Sequence, residues 1–218
     1  MRTTTPAWTP FLFAAVTLAG PALARDGGAD PQSAAESLAF MPAEVSYAAA
    51  LREPPRHAFA TKGAHQISFG GGLAHSLRGD ADDFNGTFSY TYFLADQFEV
   101  TGELGAWYFY QHGDDAQGLN PCFVMRYHWW VSEDRRWSAY ADAGIGALFA
   151  TDNVPDRGTS FDVTPRFGAG ITRQINDEGW RLQLGVRWAH ISNARILGDA
   201  SNPSRDGIMG YFAIVIPF

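Results

Sequence analysis

The chain has 218 residues, of which 46% are hydrophobic and 14% aromatic, and its formal net charge is -7 at pH 7. This composition fits one folded domain with a large apolar surface and excludes a largely disordered protein. Because the chain is acidic and carries no run of Lys or Arg, it has no electrostatic footprint for nucleic acid, and we expect no nucleic-acid partner.

The first 24 residues have the order of a secretory signal peptide. Arg2 precedes the apolar core FLFAAVTLA, and a Gly-Pro pair then leads to Ala22-Leu23-Ala24, the small-x-small pattern that a signal peptidase needs. The alternative is a membrane anchor, but the apolar core covers only about half of the roughly 20 residues that a spanning helix requires. The pattern therefore favours export, with a cleaved signal peptide at residues 1–24.

The composition and the hydrophobic periodicity of the sequence change near residue 64. Residues 25–63 are rich in Ala, Pro and small polar residues and lack a sustained period, which is typical of a linker or a short N-terminal arm. From residue 64 onward almost every window alternates between apolar and other residues, with frequent Gly and aromatic residues, so region 64–218 is predicted to be all-β. Eight alternating segments follow one another: 65–76, 84–94, 97–110, 119–131, 137–150, 159–175, 179–193 and 206–218.

The lengths of these segments and of their connections predict a membrane barrel. Soluble strands average about 5–6 residues, whereas tilted membrane strands need about 9–11, which these segments reach. Short turns also alternate with longer polar loops, as in bacterial outer-membrane barrels. We therefore predict an eight-stranded antiparallel up-and-down transmembrane barrel in the bacterial outer membrane. The short turns are 94–97, 132–136 and 176–179, and the longer loops are 77–83, 112–118, 151–158 and 194–205.

The polar face of the segments separates a membrane barrel from a soluble one. A soluble periplasmic lipid-binding barrel could place the same apolar stripe inside, around a ligand. Eight strands, however, leave little room for an apolar ligand if charged groups point inward, whereas such groups can pair with one another in a packed lumen. The second face is polar for most of its length and includes Asp142, Asp162, Arg166, Arg181, Gln183 and Arg187. This composition favours a lipid-facing apolar stripe.

The seventh segment, within WRLQLGVRWAHISNA, ends its apolar face with two polar residues. Trp188 is followed on the same face by His190 and Ser192. Side chains two residues apart on one strand face stand close enough for an imidazole to approach a hydroxyl. A serine nucleophile needs this arrangement from its general base. The alternative is a pair of ordinary interface residues at the barrel rim, since the three-residue pattern H-x-S often occurs by chance.

The C-terminal part of the chain resembles a known enzyme family. LGVRWAHISNA, a following loop with Asn202-Pro203, and a last strand ending in IVIPF are similar to the signature of the outer-membrane lipid A 3-O-deacylases of the PagL type. The hallmark of that family is an H-x-S-N-A run on the penultimate strand of an eight-stranded barrel. The resemblance covers about residues 180–218. It implies a serine esterase that removes the 3-position hydroxyacyl chain of lipid A, the membrane anchor of lipopolysaccharide, without a cofactor.

The same resemblance implies roles for individual residues. Ser192 matches the nucleophile and His190 the base that accepts its proton. Asn193 and Asn202 match family asparagines near the site, where an amide or a nearby backbone N–H could stabilise an oxyanion. On the outward face of the sixth segment, Phe161 is expected to form a wall of the acyl-chain groove. No metal is expected, because the histidines are scattered and have no ligand spacing.

The third member of the triad departs from the family pattern. The family places a Glu early in the last strand, but here that stretch reads DGIMGYF, and the matching residues Ile208 or Met209 are not acidic. Asp206 shares the parity of the outward face and is the nearest substitute, with Asp199 behind it. Three versions remain open: a triad with Asp206, a Ser-His dyad, and a catalytically impaired or non-enzymatic barrel with a structural or binding role. The sequence also leaves open whether two barrels pair as a homodimer.

Overall fold

The computed structural model describes residues 57–78, 81–198 and 202–218. The predicted signal peptide, most of the predicted arm and Asp199 lie outside the described residues. No helix in the described part of the chain is long and apolar enough to cross a membrane. Nine strands follow one another within the described ranges: β1 (His65–Ser76), β2 (Asp82–Ala95), β3 (Phe98–Tyr110), β4 (Ala116–Val131), β5 (Trp137–Val154), β6 (Thr159–Val163), β7 (Arg166–Gln174), β8 (Arg181–Ile191) and β9 (Arg205–Pro217).

These strands form one closed antiparallel barrel. With β6 and β7 taken as one strand, each strand pairs with its neighbours in the chain, and the pairing of β9 with β1 closes the circle. β6 and β7 together make the sixth barrel strand, because Val163 lies opposite Ser192 and Arg166 opposite Ala189 in one continuous register. Pro165 interrupts this strand because proline has no N–H to donate to the ladder. The prediction of an eight-stranded antiparallel barrel is confirmed.

Two strands extend three or four residues further toward the long loops than the sequence predicts, more than β2 or β9 does. β4 begins at Ala116, inside the predicted loop 112–118, and β5 continues to Val154, inside the predicted loop 151–158. Above the lipid, a strand pair keeps its ladder of hydrogen bonds without needing an apolar outward face. Hydrophobic alternation therefore ends before the strands do, which explains the difference.

The side chains alternate between the two faces of the barrel as predicted. Apolar and aromatic side chains cover the outer wall and are about half exposed in the absence of lipid, whereas the inward side chains are mostly buried. Lipid would cover such a continuous apolar wall. Outward side chains include Phe69, Phe88, Leu104, Phe123, Ile145, Phe167, Leu184 and Phe212.

Charged side chains pair with one another inside the barrel. Each buried guanidinium of the central lumen lies against at least one buried carboxylate from another strand, which offsets the cost of removing the charges from water. The lumen is thus the packed polar interior that the sequence predicts. The ion pairs are Arg126–Glu99 (2.6 Å), Arg126–Asp142 (3.3 Å), Arg187–Asp142 (2.9 Å), Arg187–Glu103 (3.4 Å) and Arg166–Glu103 (2.6 Å).

The two ends of the lumen are closed by apolar side chains. At the short-turn end, the Phe59 ring lies 3.5 Å from the Arg181 guanidinium and packs edge-on against Phe93. The last residues of the predicted arm thus cap this end of the barrel. Toward the long loops, Trp107 stacks on Phe109 in an apolar cluster that includes Leu148, Ile191 and Met209. This cluster supports, from inside, the wall on which His190 lies.

Candidate functional site: a Ser-His-Asp arrangement on the outer wall

The end of β8 and the start of β9 bring together His190 of β8, Ser192 just after it and Asp206 of β9. His190 and Asp206 are direct cross-strand partners. The His190 Nδ1 atom lies 2.8 Å from the Asp206 carboxylate, and its Nε2 atom lies 2.9 Å from the Ser192 hydroxyl. Hydrogen bonds thus link the acid, the imidazole and the hydroxyl in the order that a catalytic triad uses. The arrangement is compatible with an Nδ1–H tautomer that accepts the hydroxyl proton at Nε2.

The neighbouring sixth strand fixes the backbone of this site. Ser192 exchanges two backbone hydrogen bonds with Val163, at 2.7 and 3.2 Å. The N–H of His190 donates to the carbonyl of Pro165 at 3.0 Å. Because of these contacts the serine stays on the strand frame beyond the formal end of β8. It is also only 7% exposed, which is less than its outward parity alone suggests.

An aromatic side chain holds the imidazole from below. Trp188, two residues earlier on the outward face, stacks on His190 with ring centroids 5.5 Å apart and an interplanar angle of 24°. Phe167 in turn packs against Trp188 at 5.0 Å. The imidazole is therefore limited in rotation, and the surface below it, toward the membrane centre, is apolar. Sequence parity places Trp188 on this face, but the stacking emerges only from the structure.

The sixth strand provides an apolar surface beside Ser192. Phe161 lies two residues before Val163 on the same face, and its ring packs against Phe149 of β5 with centroids 5.3 Å apart. This places Phe161 on the outward face of the neighbouring strand, where the sequence expects it. This aromatic surface lies on the side of Ser192 away from Asp206.

The two asparagines occupy different environments. The Asn193 side chain is buried, and its carbonyl oxygen accepts a hydrogen bond from the backbone N–H of Arg195 at 2.8 Å. This bond stabilises a tight turn in which Ala194 and Arg195 both have positive φ angles, 51° and 63°. Asn202, in the loop before β9, has a buried side-chain oxygen without a hydrogen-bond partner in the described part of the chain. Such an orphaned acceptor is costly and marks a place for a donor.

The structure shows which residue early in β9 lies beside the His190 imidazole. Asp206 contacts His190 directly, whereas Ile208 lies outward beside Trp188, and Met209 is buried in the lumen. The positions that match the family's Glu therefore hold no acid, and the carboxylate that approaches the imidazole comes from the beginning of β9. Among the described residues, no cluster of three or more His, Cys, Asp or Glu side chains could hold a metal ion.

Comparison with known proteins places the barrel in a class and then in a family. The fold is similar to the crystal structure of the outer membrane enzyme PagL (17% identity, TM-score 0.54, 67% of this chain and 97% of that chain). It is also similar to Neisserial surface protein A, NspA (15% identity, TM-score 0.52, 71% of this chain and 96% of that chain). At these identities the similarity shows the fold alone, which is that of a small outer-membrane β-barrel.

The family follows from the sequence profile. The profile described as lipid A 3-O-deacylase (PagL) matches residues 82–214, more than half of the chain, and the protein therefore belongs to that family. The family resemblance seen in the sequence is thus confirmed, and family membership supports a lipid A deacylase, a hydrolase of the outer membrane. No curated protein gives a match.

Proposed function

We propose that this protein is a serine esterase that removes the 3-position hydroxyacyl chain of lipid A within the outer leaflet. One observation carries the proposal: the hydrogen-bonded series Ser192, His190 and Asp206, with distances of 2.9 and 2.8 Å, lies on the outward wall of a membrane barrel. A substrate held in the leaflet can reach this wall laterally. A water-soluble substrate would not reach a site on the lipid-facing wall.

The geometry supports a two-step acyl transfer. The Ser192 hydroxyl attacks the ester carbonyl carbon while His190 Nε2 takes its proton, and the Asp206 carboxylate stabilises the resulting imidazolium. When the tetrahedral intermediate collapses, the sugar oxygen leaves with the proton from His190, and the acyl chain stays on Ser192. Water, deprotonated by the same imidazole, then hydrolyses this acyl-enzyme, releases the hydroxy fatty acid and restores the serine.

The residues around the triad support the other parts of this reaction. Asn193, whose carbonyl end is fixed by Arg195, offers an amide or a neighbouring backbone N–H to the oxyanion. Asn202 is proposed to line the same side of the site. Phe161 is proposed to guide the scissile acyl chain, whereas the surface formed by Trp188 and Phe167 lies under the imidazole. No step requires a metal or a cofactor.

Mass spectrometry of lipid A tests this function. Cells that express the protein should lose one 3-hydroxyacyl chain from lipid A, and cells that express Ser192→Ala should not. Ser204→Ala, an exposed serine in the loop before β9, is the matched control and should behave as the wild type. Identical lipid A spectra from cells with the wild type and with Ser192→Ala would refute the enzymatic function and favour a structural or binding barrel.

We also propose that residues 1–24 direct export and are removed, and that the mature chain consists of an arm followed by the barrel at 64–218. The short-turn end, where Phe59 caps the lumen, then lies on the periplasmic side. Protein isolated from outer membranes should begin at Arg25. An N-terminal sequence that still contains the apolar core would contradict this proposal.

A further inference from the structure

A second histidine–aspartate pair lies on the outer wall, separate from the triad. His75 is the penultimate residue of β1, and Asp82 is the first residue of β2, directly opposite it. The His75 Nδ1 atom lies 2.8 Å from the Asp82 carboxylate, and both side chains are well exposed, at 64% and 50%. Only β9 separates β1 from β8.

The barrel register sets the height of this pair relative to the triad. Following the paired residues once around the barrel from Arg181 leads back to β8 at Ile191, a displacement of ten residues. In the direction from β8 through β9 to β1, each paired residue therefore lies closer to the long-loop end of the barrel than its partner on the strand before. The difference in height per strand is that of about 1.25 residues along a strand. The residues on this path are Arg181, Val215, Ser68, Ser89, Glu103, Cys122, Gly146, Thr164 and Ile191.

This displacement brings His75 to the level of the triad. The cross-strand partner of His75 on β9 is Ile208, whose partner on β8 is Trp188. His75 is two strands away from Trp188, so it lies higher than Trp188 by about 2.5 residues. His190 is two residues beyond Trp188 on β8 and therefore lies at nearly the same height as His75. With strands about 4.8 Å apart and a rise of about 3.3 Å per residue, the backbone of His75 is about 12 Å from that of His190 and about 16 Å from that of Ser192. The side chains of His75 and Ser192 shorten this gap, so it suits a two-sugar head group whose ester lies at Ser192.

The chemistry of the pair fits an anionic oxygen. The Asp82 carboxylate accepts a hydrogen bond from the Nδ1 atom of His75 and so fixes the orientation of the imidazole ring. The Nε2 atom of His75 has no partner among the described residues. An imidazolium held by a carboxylate at one nitrogen can donate its other N–H to a phosphate oxygen, in a strong charge-assisted hydrogen bond. Arg78, three residues further along the chain and exposed at the start of the following loop, carries a positive charge that can also attract a phosphate.

We propose that His75, oriented by Asp82, binds a phosphate group on the sugar head group of the lipid substrate while the scissile ester lies at Ser192. This inference rests on the proposed function, since it assigns part of the same substrate to a second place on the wall. His75 is a binding residue and takes no part in acyl transfer. It positions the head group, and so it affects affinity more than turnover.

Equilibrium binding to the detergent-solubilised protein tests this proposal. In a Ser192→Ala background, which keeps the substrate intact, calorimetric titration compares phosphorylated lipid A with the same lipid after phosphate removal. Adding His75→Gln should weaken binding of the phosphorylated lipid about tenfold, the effect of losing a charge-assisted hydrogen bond, and leave the dephosphorylated lipid unaffected. Asp82→Asn should give a smaller loss of the same kind. His112→Gln, an exposed histidine in the loop between β3 and β4, is the matched control.

Three outcomes would overturn the proposal: no preference of Ser192→Ala for the phosphorylated lipid, no effect of His75→Gln, or an equal loss for both lipids. Kinetics separate this failure from failure of the proposed function. If the wild type deacylates lipid A but His75→Gln leaves KM unchanged, only the phosphate site is refuted. If the wild type does not deacylate lipid A, the proposed function is refuted, and the binding titration still decides the role of His75.

Discussion

Replacement of Asp206 by asparagine separates a triad from a dyad. The carboxylate lies 2.8 Å from His190 Nδ1 and accepts a hydrogen bond there. Asparagine has nearly the same shape, but its NH2 group can donate to Nδ1. The ring would then carry its proton on Nε2 and could no longer accept the proton of the Ser192 hydroxyl. Asp206→Asn should therefore impair proton transfer without disturbing the fold.

The size of the effect follows from the exposure of the pair. In buried serine triads this change lowers kcat by about four orders of magnitude. Here the side chains of His190 and Asp206 are 23% and 20% exposed, so water competes for both groups. We expect kcat to fall roughly 10²–10⁴-fold. KM should change little, because Asp206 lies on the Nδ1 side of the imidazole, opposite the Nε2 atom that faces Ser192.

The assay is deacylation of lipid A by purified protein in detergent, with released hydroxy fatty acid measured over time. Heat-modifiable gel migration verifies that the variant barrel is folded. Asp177→Asn, in a fully exposed turn at the other end of the barrel, provides the control and should retain full activity. A kcat for Asp206→Asn within threefold of the wild type would refute the reasoning and leave a Ser-His dyad.

Three further predictions follow from other contacts. Trp188→Ala removes the ring stacked on His190 and should lower kcat about tenfold through loss of imidazole orientation, with little change in the unfolding midpoint. Phe161→Ala should raise KM several-fold for long-chain esters and leave KM for a short soluble ester unaffected. Initial hydrolysis rates over a range of ester concentrations measure both values, and equal effects on both esters would contradict a role of Phe161 as a wall of the acyl-chain groove. Asp142→Asn removes the carboxylate 2.9 Å from Arg187 and should destabilise the barrel by about 3–5 kcal/mol, measured by urea unfolding in detergent. An unchanged urea midpoint would show that the lumen is hydrated enough to solvate Arg187.

How much of the site was predictable depends on whether a contact lies along one strand or between strands. The pairing of His190 with Ser192 is local, since residues two apart on a strand face are neighbours whatever the rest of the chain does. The partnership of His190 with Asp206 depends on the register between β8 and β9. A slip of one residue in that register would turn Asp206 into the lumen, and the loop between the two strands does not fix this register by its sequence.

The sequence by itself determined the strand number, the lipid-facing stripe and the Ser-His pair, because alternation with a period of two assigns every side chain to a face. It also indicated the family, through HISNA and the residues around it. Closure of the barrel determined which residues of distant strands contact one another or lie at the same height. Arg187 reaches Asp142 of β5 and Glu103 of β3 only when the sheet is a closed circle, and His75 reaches the height of His190 only because the register is staggered around that circle. Such relations join residues far apart in the chain, and only the tertiary structure fixes them.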